Sequence, residues 1–155
     1  MALNFQLKNR NLGKNAIQLE NTLRTGIEFT NFKQILSSEI SLSNRLVFPW
    51  LMTPFKIKNT DNLINPRTYI NLDGAYIDRF NYYKINSFNA FMGYEWLSKK
   101  NSSWQVRFPN IEITRLYDIN SGFEVRLRDY PLLRYSYNNG LIGGAINTYS
   151  KRLNS

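Results

Sequence analysis

The sequence predicts an all-β fold, an antiparallel up-and-down meander of about seven long strands. Apolar and polar residues alternate along most of the chain with a period of two, which is the period of a β-strand. Clusters rich in Asn, Gly, Pro and Lys separate these segments and predict turns. The alternating segments are roughly 10–15 residues long, which exceeds the usual strand length of about 5–6 residues and favours a meander or a barrel.

Four segments alternate most clearly, and they cover residues 16–29, 39–48, 68–76 and 88–96. Weaker alternation at 3–7, 111–116 and 141–149 brings the number of predicted strands to seven. Charged residues lie near strand centres on the polar side of these segments: Glu20, Arg24, Glu28, Glu39, Arg45 and Glu95.

The connections between the strands are predicted at residues 11–15, 31–33, 54–66, 99–103 and 117–139 and around Asn81. We expect short and long connections to alternate along the chain, as they do in barrels with tight turns on one side and loops on the other. No domain boundary, internal repeat or linker is visible, so residues 1–155 are predicted to form a single domain.

The chain has 155 residues, a formal net charge of +9, no Cys and no His. Disulfides, thiol catalysis, Cys-based metal sites and a Ser-His triad are therefore excluded. A carboxylate-pair hydrolase would need two of its glutamates at catalytic separation, and nothing in the sequence fixes such a pair. We therefore expect no enzymatic activity and no cofactor.

The alternation by itself does not decide whether the apolar face is the core of a soluble β-sandwich or contacts lipid. Aromatic residues near the predicted strand ends favour lipid, because membrane barrels carry aromatic girdles there. The residues predicted to face lipid or to form girdles are Phe48, Trp50, Tyr76, Phe88, Met92, Tyr94 and Trp96. The six charged residues would then face the lumen, where they either line a water-filled interior or only form cross-strand ion pairs.

The positive charge raises nucleic acid as a partner, but the Lys and Arg residues are scattered, and we expect no nucleic-acid binding. The first residues lack the basic and apolar regions of a signal peptide. This favours either a cytoplasmic protein or a segment of a longer precursor.

Short motifs follow one another over nearly the whole chain: Asn9-Arg10-Asn11-Leu12-Gly13, Leu46-Val47-Phe48-Pro49, Pro54-Phe55, Pro66-Arg67-Thr68, Phe-Asn-x-x-x-Gly-Tyr-x-Trp at 88–96 and the segment 129–137. In this order and spacing the chain resembles the β-barrel of the BamA/TamA superfamily, the bacterial surface antigen family, and most closely its lipoprotein-like TamA-type branch. The motif at 88–96 is the clearest match.

The resemblance implies the N-terminal part of an outer-membrane barrel, with a role in inserting or translocating outer-membrane or surface proteins. In the family the first barrel strand pairs weakly with the last, and the opened seam can accept a client strand. The corresponding seam residues here are Leu3, Asn4, Phe5, Gln6, Leu7, Lys8, Asn9 and Arg10. The implied partners are outer-membrane lipid, client outer-membrane proteins, and the remaining barrel strands or a partner chain.

The chain also departs from the family pattern. The POTRA domains, the later half of the barrel and its Arg-Gly-Phe-like motif have no counterpart here, and the first turn lacks a Phe and a Gly. Two alternatives to an assembly factor therefore stay open, a soluble all-β binding module and a passive barrel or pore segment. The seam could likewise be an ordinary terminal strand.

Overall fold

The structure is a computed structural model that describes residues 1–30, 34–53, 63–98, 102–130 and 139–151. The described part contains seven strands and one helix. In chain order they are β1 (Ala2–Leu12), β2 (Ile17–Phe29), β3 (Ile35–Phe48), β4 (Leu63–Arg79), β5 (Tyr83–Ser98), β6 (Ser102–Tyr117), α1 (Ser121–Asp129) and β7 (Gly140–Lys151).

All seven strands belong to one sheet with the order β1-β2-β3-β4-β5-β6-β7. Every neighbouring pair is antiparallel. The predictions of an all-β fold, an up-and-down meander and seven long strands are therefore confirmed. In the described part of the chain, β1 and β7 each have one neighbour, so the sheet is open at both edges.

We call the two ends of the sheet the α1 end and the Lys14 end. Strand β1 begins at the α1 end, where residues 30–34, 80–82 and 118–139 join successive strands. At the Lys14 end β7 finishes, and residues 13–16, 49–62 and 99–101 join strands. The expected alternation of short and long connections is wrong, because each long connection follows two short ones. The two long connections, 49–62 and 118–139, consequently lie at opposite ends of the sheet.

The predicted connection at 54–66 is also wrong at its C-terminal end, because β4 already begins at Leu63. Pro66 lies inside the strand, at a register shift between Ile64 and Arg67. Asn65 has a φ of +49° in the same place. A bulge accommodates proline because the residue has no N–H to give to the ladder. The predicted turn at 31–33 and most of the 129–137 motif lie outside the described residues.

The helix α1 lies inside the connection that the sequence predicted without a helix. Asn120 caps its start, with the side chain accepting a hydrogen bond from the Gly122 N–H at 2.9 Å. Phe123 packs the helix against the sheet, and Leu127 lies one turn further along. The Phe123 ring lies 5.0 Å from that of Tyr83, and Leu127 is buried. The apolar residues Phe123, Val125 and Leu127 alternate with charged residues, so the sequence shows no helical period here.

Candidate functional site

The register places most of the large apolar residues of β1 to β6 on one side of the sheet, here called the apolar face. On β7, Leu141 and Tyr149 lie on this side, and Ile142 and Ile146 lie on the other. One row across the apolar face runs Leu23, Leu42, Gly74, Phe88, Ile113 and Leu141. Six of the predicted lipid-facing residues lie on this face: Phe48, Tyr76, Phe88, Met92, Tyr94 and Trp96. Trp50 follows β3, and its ring lies 5.8 Å from that of Phe48.

Nothing in the described structure covers the apolar face. Within the described residues only four hydrophobic side chains are buried, and all belong to the opposite side or to α1: Tyr69, Tyr83, Leu116 and Leu127. By contrast, Leu42, Leu72 and Phe88 are each nearly half exposed, although they lie at the middle of their strands. A β-sandwich core would cover such residues with a second sheet.

An aromatic ladder crosses the apolar face at the Lys14 end. The rings of Trp96 and Trp104 are nearly parallel with centroids 6.2 Å apart, and the Tyr149 ring lies 4.6 Å from that of Trp104. The register places these three residues in one row across β5, β6 and β7. The sequence showed Trp96 and Trp104 near strand ends, but the position of Tyr149 beside them depends on strand pairing.

A charged border crosses the same face at the α1 end. Lys84 Nζ lies 2.6 Å from Asp118 Oδ2 and 3.9 Å from Asp78 Oδ2. Arg115 lies one row further in, opposite Asn86. The two cations and two carboxylates of this border, Lys84, Arg115, Asp78 and Asp118, balance each other. On β5 and β6 the apolar face is thus bounded by charges at one end and by aromatic rings at the other.

The opposite side, here called the polar face, carries all six charged residues that the sequence predicted to face a lumen. The register aligns Glu20 with Arg45, and it places Arg24, Glu28, Glu39 and Glu95 on the same side. Glu20 forms its ion pair with Lys8, which lies opposite it on β1, and not with Arg45 on β3. Glu20 lies 3.4 Å from Lys8 and accepts a hydrogen bond from Gln6, and Glu28 accepts one from the Ser37 hydroxyl at 2.7 Å.

A cluster around Tyr69 is the best packed part of the polar face, and sequence analysis missed it. The Tyr69 ring covers Gly93, where any Cβ would collide with the ring. Its hydroxyl accepts a hydrogen bond from Gln105 Nε2 at 2.7 Å, and the Arg45 guanidinium lies 5.2 Å from the ring centroid. These residues belong to four successive strands, β3 to β6. Phe91 and Arg107 extend the cluster with a second cation–π contact of 5.1 Å.

Near the α1 end the polar face carries a row of apolar residues. Ile77, Ile85 and the buried Leu116 form one row there. The rings of Tyr83 and Phe123 meet beside this row, and Leu127 of α1 is buried. We attribute this local break in polarity to the helix, which needs an apolar surface to pack against.

The predicted seam residues, Leu3 to Arg10, all lie in β1 and are all exposed. Met1 and Ile27 exchange two backbone hydrogen bonds of 2.8 Å each. Hydrogen-bonded and non-bonded pairs alternate along an antiparallel ladder. Leu3, Phe5 and Leu7 therefore direct their backbone groups to β2. Consequently, the backbone N–H and C=O groups that face the free edge belong to Asn4, Gln6 and Lys8.

The described residues contain no group of three or more His, Cys, Asp or Glu side chains that could hold a metal ion. They also contain no helix long and apolar enough to cross a membrane.

Comparisons of the chain with protein-family models, with curated proteins and with solved structures found no match.

Proposed function

We propose that this chain forms part of the wall of a transmembrane β-barrel in the bacterial outer membrane. We further propose that it serves in the insertion or translocation of outer-membrane or surface proteins, with β1 as the edge that templates a client strand. The family resemblance suggests this role, and the geometry of the sheet supports it. The apolar face would contact lipid, and the polar face would line the lumen.

The observation that carries the proposal is the combination of a single sheet with an apolar face that nothing described covers. Twenty-nine large hydrophobic side chains are exposed in the described residues, and many of them share this face. Monomeric soluble proteins rarely expose large contiguous apolar patches. Lipid is a solvent in which this arrangement is stable, provided that the sheet closes so that no edge is left unpaired.

The dimensions of the apolar face agree with a membrane. On β5 the apolar side chains run from Phe88 to Trp96. This span is about 26 Å along the strand at about 3.3 Å per residue. A strand tilt of about 40° reduces it to about 20 Å along the membrane normal, close to the apolar band of about 25 Å in outer-membrane barrels. Charges bound this span at one end and aromatic rings at the other.

The templating step needs no catalytic side chain. A free strand edge binds an extended segment through main-chain hydrogen bonds. Three consecutive outward positions of β1, at Asn4, Gln6 and Lys8, offer an N–H and a C=O each. A client strand could pair with β1 at these positions, and it would leave β1 when the next strand of the client pairs with it.

The membrane part of the proposal is tested by cysteine scanning, because the chain has no Cys. Single variants Ile40→Cys and Leu42→Cys report on the apolar face, and Ser41→Cys and Ser43→Cys report on the polar face. After reconstitution of the full chain into vesicles, we expect a water-soluble maleimide to label the serine positions and to spare the other two. Equal labelling of all four positions would contradict a lipid-facing apolar side.

The templating part is tested with a urea-denatured outer-membrane barrel protein added to vesicles that contain the chain. Heat-modifiable gel mobility measures how fast that protein folds. We expect acceleration by the original chain and by Asn4→Ala, and its loss in Asn4→Pro, which removes one outward N–H without touching the β1–β2 ladder. If the original chain gives no acceleration, it is a passive barrel segment. If Asn4→Pro accelerates folding as well as Asn4→Ala does, β1 is not the templating edge.

A further inference from the structure

The two ends of the apolar face differ in net charge. The border at the α1 end is neutral, because Asp78 and Asp118 balance Lys84 and Arg115. At the Lys14 end, Lys151 lies on the apolar face two residues beyond Tyr149, opposite Ser102. Lys14 lies in the exposed turn between β1 and β2. Neither lysine forms an ion pair with any described carboxylate.

The sequences that join the strands have the same asymmetry. The joining sequences 13–16, 49–62 and 99–101, which connect strands at the Lys14 end, contain five lysines and one aspartate. The joining sequences 30–34, 80–82 and 118–139, at the α1 end, contain four basic and three acidic residues. Most of the excess positive charge in the connections therefore belongs to the Lys14 end.

The aromatic ladder lies at the same end as this charge. Trp and Tyr prefer the depth of the lipid headgroups, where the ring is partly buried and its polar atom reaches water. A lysine just beyond such rings can extend its ammonium group to the headgroups while its methylene stem stays against apolar surface. Lys151 has this position relative to Trp104 and Tyr149.

We propose that the Lys14 end lies against a leaflet that contains anionic phospholipids, with Lys14 and Lys151 binding the phosphates of their headgroups. Positive charge complements the phosphates, and the aromatic ladder sets the depth of the chain in that leaflet. The α1 end, with its neutral border and its helix, then faces the aqueous compartment on the other side of the membrane. This inference rests on the proposed function, since it requires the apolar face to contact lipid.

The test compares two double variants that change the net charge equally. Lys14→Gln with Lys151→Gln removes two cations at the Lys14 end. Arg126→Gln with Arg128→Gln removes two exposed cations of α1 at the other end. The full chains are mixed with phosphatidylcholine vesicles, alone or with added phosphatidylglycerol, and the partition coefficient is measured by flotation. We expect the lysine variant to lose about tenfold in partition into the anionic vesicles, and the arginine variant to lose less than about twofold.

Each outcome decides between the two proposals. If the original chain binds neither kind of vesicle, the membrane function itself fails. If it binds both kinds and the two variants lose equally, the lipid-facing surface stands and the assignment of the phosphate-binding end is overturned. A further arm adds inorganic phosphate at constant ionic strength. Release of the chain by phosphate, but not by chloride, would assign the lysines to free phosphate and overturn the leaflet assignment.

Discussion

The two faces of the sheet consist of alternate residues of the same strands, yet their side chains are stabilised in different ways. On the polar face, several charged and aromatic groups have partners within the sheet, as in the Tyr69 cluster and the Glu20 contacts with Lys8 and Gln6, although Arg107 Nε is buried without a hydrogen-bond partner among the described residues. On the apolar face, Leu42 and Leu72 remain nearly half exposed. The polar face is thus partly satisfied by contacts within the sheet, and the apolar face needs a surrounding that the described residues do not supply.

The largest expected effect comes from placing a charge at the centre of the apolar face. Leu42→Lys is expected to lower the free energy of unfolding in detergent micelles by about 2–4 kcal/mol, because the ammonium group would enter the apolar phase. Ser41→Lys, on the next residue and the polar face, is the matched control and is expected to cost under about 1 kcal/mol. Urea titration of both variants measures the difference. Equal small costs would mean that water, not lipid or detergent, contacts Leu42.

The next effect concerns two glycines that lie on opposite faces. A Cβ at Gly93 would collide with the Tyr69 ring, whereas a Cβ at Gly74 would meet nothing within 4 Å. Gly93→Ala is therefore expected to cost about 1–3 kcal/mol, since the ring must move away from Gln105 and Arg45. Gly74→Ala is expected to be neutral or slightly stabilising. If Gly93→Ala costs as much in a Tyr69→Ala background as in the original chain, the collision is not its cause.

The smallest effect concerns the hydroxyls of two tyrosines. Tyr69→Phe removes a 2.7 Å hydrogen bond from Gln105, and we expect it to cost about 1 kcal/mol. Tyr94→Phe on the apolar face removes a 3.6 Å contact with the Met92 sulfur, which is a weak acceptor, and should cost less. Urea titration of the two single variants makes the comparison. A larger cost for Tyr94→Phe would reverse the assignment of the well-packed face.

Much of the fold could be predicted from the sequence. The period-two pattern located all seven strands and assigned residues such as Glu20, Arg45, Phe88 and Trp96 to their correct sides. The cause is local, since successive side chains of any extended strand point to opposite sides. The helix at Ser121–Asp129 was missed because Phe123, Val125 and Leu127 alternate with charged residues instead of following a helical period, and because the contact of Phe123 with Tyr83 depends on the tertiary structure. The strand position of Pro66 was missed because a proline usually indicates a break.

The sequence by itself thus determined the strand content, the two-sided chemistry of the sheet and the absence of thiol and imidazole groups. Only the tertiary structure decided which residues meet across strands. It placed Tyr149 beside Trp104, the Tyr69 ring over Gly93, and the two long connections at opposite ends. These contacts depend on register, which is set by pairing between residues far apart in the chain and cannot be deduced from a period along one strand.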